Sequence, residues 1–119
     1  MSERSELERA ISLFFEAMNA NDASIIPLAD DVVMSGPMMP EPIIGVAAVR
    51  EYIEETAPFM ARMDQKTTVI EGENAAVILE FEGLNGVVIE GAEFYRVRNG
   101  LIRHLQVFFD TRRLFKGAT

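Results

Sequence analysis

The chain has 119 residues, with 19 acids against 11 bases, one His and neither Cys nor Trp. That length predicts a single domain over 1–119, and the missing Cys excludes a disulfide scaffold, a thiolate nucleophile and a Cys-based zinc site. A net charge of −8 argues against nucleic acid and against anionic membrane surfaces, because both repel it.

Residues 5–20 are expected to form an amphipathic helix, with Leu7, Ala10, Ile11, Phe14 and Met18 at helical spacing. Ser5 and Glu8 fit a capping box at its start. Asn19–Asp22 breaks the pattern, and Asp22 is placed to cap a short turn before Pro27. Val32–Met34 is a brief strand candidate. Residues 35–45 hold three of the five prolines, which predicts a stiff loop. Its Met38 and Met39 suggest that the loop folds over something apolar. A second helix is expected over 46–57, with Val46, Val49, Ile53 and Ala57 on one stripe and Pro58 ending it.

The rest reads as four long strands, 62–71, 75–82, 87–97 and 101–111, separated by turns that include Asn99-Gly100. Helices followed by an antiparallel meander predict an α+β fold. Two or three N-terminal helices pack on the concave face of a curved sheet. Where the two layers diverge a cavity is expected, with the Met-rich loop and Phe59-Met60 over it.

The charge is uneven. Residues 1–60 hold 11 acids and 3 bases, whereas 61–119 hold 8 of each. The basic stretch 96–116 (Arg96, Arg98, Arg103, Arg112, Arg113, Lys116) reads as a solvated sheet end, or as an anion site near Arg103 or Arg112. The first eight residues lack the apolar core of an export signal, so the cytoplasm is the expected location.

The order Asn21-Asp22, Leu28–Val33, Pro-rich loop, Gly45–Ile53, and then Phe94–Ile102 followed by Val107–Asp110 resembles the SnoaL-like and ketosteroid-isomerase-like proteins. These belong to the nuclear-transport-factor-2-like superfamily. The resemblance implies a cone-shaped fold with a deep apolar pocket, commonly a homodimer through the sheet, and cofactor-free isomerase, cyclase or hydratase chemistry or none at all. The isomerases' Asp base falls at Ser35-Gly36, where no carboxylate stands. Their Tyr donor falls at Phe14 and their protonated Asp at Glu93. The last-strand Asp of the epoxide hydrolases falls at Val107.

Two registers are open at the last hairpin. A two-residue turn pairs Glu93 with Gln106 and Tyr95 with His104. A three-residue loop with a Gly100 bulge pairs Glu93 with Leu105 and Tyr95 with Arg103. The second is the expected one. It places Glu93, Tyr95, Leu105, Val107 and Phe109 on the concave face, and Phe94, Ile102, His104, Gln106, Phe108 and Asp110 outside. Outer aromatics predict a homodimer through that face.

Glu93 is the expected acid or base, because an apolar cavity resists its ionisation; otherwise it merely satisfies Arg103. Tyr95 is a second candidate donor. Candidate ligand contacts are Phe14, Phe15, Met18, Met38, Phe59, Arg103, Leu105, Val107 and Phe109. One His and no Cys argue against a protein-built transition-metal site, and no cofactor is expected. Two readings follow for a small apolar ligand: proton-transfer catalysis, or binding without chemistry.

Overall fold

The computed structural model describes residues 2–112. Helix α1 (Glu3–Ala20) is capped three residues earlier than expected: Ser2, not Ser5, is the N-cap, and its Oγ accepts from Ser5 N (3.1 Å). Glu3 and Glu6 in the first turn oppose the positive end of the helix dipole. The predicted apolar stripe is buried, and Phe15 and Ala17 join it. Asn21 ends the helix in the left-handed conformation at φ 56°. Asp22 then caps a 3-10 turn, Ala23–Ile25, by accepting from Ser24 N (3.1 Å). The Ser24 hydroxyl, and then the Ser24 N–H, donate to the Asp22 carboxyl and hold it below its ordinary value.

Strand β1 (Leu28–Ser35) is longer than its apolar core suggested. After the proline loop, β2 (Ile43–Ile44) pairs back onto it antiparallel. Helix α2 (Val46–Thr56) buries Val49 and Ile53, and Pro58 lies in the 3-10 turn Ala57–Phe59 that follows. Strands β3 (Met60–Glu71), β4 (Asn74–Gly83), β5 (Val88–Arg98) and β6 (Leu101–Phe109) form the expected meander. The sheet order is β2-β1-β6-β5-β4-β3.

The α+β architecture matches the expectation, with two α-helices and a sheet that is mixed rather than wholly antiparallel. The parallel pair is β1 with β6. Sequence patterning is blind to it, because a parallel partner comes from the other end of the chain. Register shifts near Arg62 and Lys66 bend the outer strand β3. Helix α1 packs against β3, β5 and β6, and α2 against β1 and β2, so both cover one face of the sheet. Among the described residues, no helix is long and apolar enough to cross a membrane.

Two polar clamps tie the layers together. Asn19 Nδ2 donates to Phe15 O (2.9 Å) and Met63 O (2.7 Å), and its Oδ1 accepts from Met63 N (2.8 Å). Arg50 Nη1 reaches from α2 to Ala23 O (2.6 Å). Replacing Asn19 by Ala leaves both Met63 backbone groups without that partner. The expected cost is about 2 kcal/mol, read as a lower urea midpoint at unchanged m; an unmoved midpoint refutes the clamp.

Candidate functional site

The last hairpin sets the site. Asn99 (φ 52°) and Gly100 (φ 75°) both take positive φ, which defines a two-residue type I′ turn. It pairs Arg98 with Leu101 and Val97 with Ile102, but Arg96 then faces His104. Arg103 is therefore an extra, unpaired residue in β6: a bulge displaced from the turn into the strand. Glu93 faces Val107 and Tyr95 faces Leu105. Neither expected set of partners is found, because the bulge sits two residues beyond either turn geometry.

The predicted inner face nevertheless stands. Glu93, Tyr95 and Leu105 are buried, with Val107 and Phe109 half-buried against the core. Ile102 also points inward and is buried, which corrects its outward assignment. The bulge puts Arg103 and His104 consecutively outside. His104 lies edge-on to Phe94, with ring centroids 6.2 Å apart.

Between the helices and this inner face is a cavity of about 340 Å³. Phe14, Met18, Met38, Phe59, Val107, Phe109 and Glu93 line it, as expected of them. Phe15, Leu105 and Tyr95 do not: Phe15 packs edge-on to Phe14, and Leu105 and Tyr95 lie in the solid core. Arg103 is excluded altogether. It forms an ion pair with Asp31 (Nη2–Oδ2 3.0 Å) and leaves Glu93 alone. Arg112 is paired with Asp110, so both expected anion sites are occupied by carboxylates. Arg113 and Lys116 lie outside the described residues.

Every methionine after Met1 lines the cavity: Met18, Met34, Met38, Met39, Met60 and Met63. Unbranched thioether side chains fill irregular space and adapt to what enters it. Met38 (49% exposed) and Phe59 (69%) reach solvent at its rim. Met39 and Met60 lie over the cavity as the Met-rich loop and Phe59-Met60 were expected to, whereas Met63, Tyr52 and Phe81 were not among the expected contacts. Their apolar character is the same signal that a filled core would give.

Among the described residues that line the cavity, Glu93 is the one charged side chain. It is 2% exposed. Tyr95 Oη donates to Glu93 Oε1. Oε2 has no such partner, yet no fully buried side-chain oxygen among the described residues lacks one. Oε2 is therefore the atom that opens onto the cavity. Burial pushes the Glu93 carboxyl up from 4.5 to about 8, against the opposing hydrogen bond from Tyr95. Burial, and then the neighbouring Glu93, push the Tyr95 phenol well above its ordinary value, so it remains a donor. With its carboxyl pushed up, Glu93 keeps its proton near neutral pH. Tyr95 lies behind Glu93 and does not line the cavity. Among the described residues no group of three or more His, Asp or Glu is placed to hold a metal ion.

Residues 11–105 match the SnoaL-like domain family over most of the chain. The chain belongs to that family. No curated protein matches it by sequence. Solved structures share the fold. A Bacillus subtilis protein provisionally described as an isomerase has a TM-score of 0.84 at 16% identity, covering 99% of this chain and 96% of its own. One from Kribbella flavida provisionally described as a ketosteroid isomerase has a TM-score of 0.78 at 20% identity, covering 89% and 78%. An NTF2-like protein of unknown function from Cytophaga hutchinsonii has a TM-score of 0.77 at 23% identity, covering 92% and 94%. At such identities the likeness carries the fold and leaves the activity to the site. In this SnoaL-like domain Gly36 lines the cavity where the resemblance put a base, and Phe14 lines it where it put a hydroxyl.

Proposed function

We propose that this SnoaL-like domain binds a small apolar molecule bearing one carbonyl, and that Glu93 moves a proton on it without a cofactor. The observation that carries this reading is a single buried carboxyl with one free oxygen at the wall of an apolar cavity. In the ionised form, Glu93 takes a proton from the carbon beside the carbonyl. The C–H bond breaks, an O–H bond forms at Oε2, and the electron pair passes to the carbonyl oxygen as an enolate. Return of the proton to carbon restores the carboxylate. Tyr95 steadies the charged state through Oε1 and fixes which oxygen does the work. A pKa near 8 suits a group that must both accept and release a proton.

The test uses β-tetralone in deuterated water, with exchange of its acidic C–H groups followed by NMR. The wild type should accelerate exchange with an apparent pKa near 8, and Glu93→Gln should lower that acceleration by roughly 100-fold or more. The second reading is passive binding. It is favoured by the lack of a second carboxylate at Ser35-Gly36 and of a hydroxyl at Phe14. Saturable binding of β-tetralone without accelerated exchange selects it, and neither binding nor exchange defeats both. The exposed Ile78 and Phe108 on the outer sheet face also support the homodimer that the sequence suggests.

A further inference from the structure

The outer face of the sheet carries a groove of about 700 Å³. Ile78, Ala92, Gln106 and Phe108 line it from the outer side. Ile78 is 42% exposed and Phe108 is 48% exposed. Gly36, Pro37, Gly91, Val107, Phe108 and Phe109 line both this groove and the Glu93 cavity. The partition between them is one strand thick, and two of its members are glycines with no side chain to thicken it.

Charge is polarised along the same face. Asp64, Glu80, Glu82 and Glu90 gather at the end where β3 begins and β4 ends, with Arg62 among them. Arg96, Arg98 and Arg103 gather at the other end, where Glu71, Glu73 and Asp31 offset them. A two-fold axis between two facing sheets, perpendicular to their strands, sets each acidic end over the other copy's arginine-bearing end. An axis parallel to the strands would set acid on acid. The face is thus self-complementary in one orientation, with Ile78, Ala92, Phe94 and Phe108 toward its middle.

We infer that a second copy of this chain covers the groove in that orientation and completes the thin wall of the cavity, so that ligand binding and self-association strengthen each other. This rests on the ligand cavity and the homodimer proposed above. The linkage is reciprocal: whatever factor dimerisation adds to ligand affinity, ligand adds to dimerisation.

The test measures affinity for prodan, a neutral naphthyl ketone whose emission reports polarity, alongside sedimentation equilibrium. Ile78→Arg and Ala92→Arg alter the groove at residues that do not themselves line the cavity. The wild type should sediment as a dimer at micromolar concentration, and both variants as monomers with native circular dichroism. Prodan should bind the monomeric variants about fivefold or more weakly. Wild type diluted until it dissociates should show the same loss, so the test stands even where a variant misfolds. Monomers that bind prodan as tightly as the dimer overturn the linkage and leave both earlier readings intact. A wild type that is monomeric throughout overturns the linkage together with the dimer, while β-tetralone exchange still reports on Glu93. A dimer that binds no prodan overturns the linkage at the ligand side.

Discussion

Glu93→Gln is expected to gain on the wild type in stability as pH rises from about 5 to 8. The Glu93 carboxyl has a folded value of about 8 against an ordinary 4.5. Below the ordinary value it is protonated in both states and favours neither. Between the two values the unfolded chain ionises while the folded chain keeps its proton. The wild type therefore loses about 1.4 kcal/mol per pH unit across that window. Above about 8 both states are ionised and the loss stops growing, at roughly 3–5 kcal/mol in all. Gln cannot ionise, and its side-chain oxygen still accepts from Tyr95, so the variant shows none of this loss. Urea midpoints of the two proteins at several pH values check it. Parallel profiles would mean that Glu93 ionises freely, which is incompatible with an enclosed carboxyl.

Gly91→Ala is expected to cost about 2–3 kcal/mol, as overpacking of a close contact does. A Cβ at Gly91 would sit 2.8 Å from Phe108 O and 3.3 Å from Phe109 Cβ. The first of these is backbone in the neighbouring strand, which a side-chain rotation cannot relieve. Strand β6 must retreat, and it carries Phe109 away from its edge-on contact with Phe81 at 5.4 Å. A lowered urea midpoint with shifted Phe81 and Phe109 ring resonances is the expected outcome. An unchanged midpoint would show that the two strands have slack there.

Much of this was legible in the sequence. Helix stripes such as Leu7, Ile11 and Phe14 and the alternation of Glu93 with Tyr95 are local patterns, and local patterns survive folding. What escaped has partners far along the chain. Asn19 meets Met63, 44 residues away, through backbone groups that every residue possesses. β1 chose β6 as its parallel neighbour by tertiary packing. The bulge at Arg103 has no residue-type signal, since Asn99-Gly100 already satisfied every demand of the turn. A similar ambiguity affected the cavity, because Met63 and Phe81 look identical in sequence whether they fill space or surround it. The helix cap moved from Ser5 to Ser2 because both serines fit, and only the folded chain chooses between them.

That bulge works as a phase shifter. On the turn side of it the inward beat of β6 falls on Ile102; on the cavity side it falls on Leu105, Val107 and Phe109. One added residue thus reconciles two clocks, the tight turn at the tip and the wall of the site. The hairpin tip is free to be reshaped without moving the beat that aims Val107 and Phe109 at Glu93, provided the off-beat residue stays where it is. The parity of β6 decides which of its side chains meet Glu93 of β5 across the ladder. Here Arg103, a residue outside the cavity, keeps it.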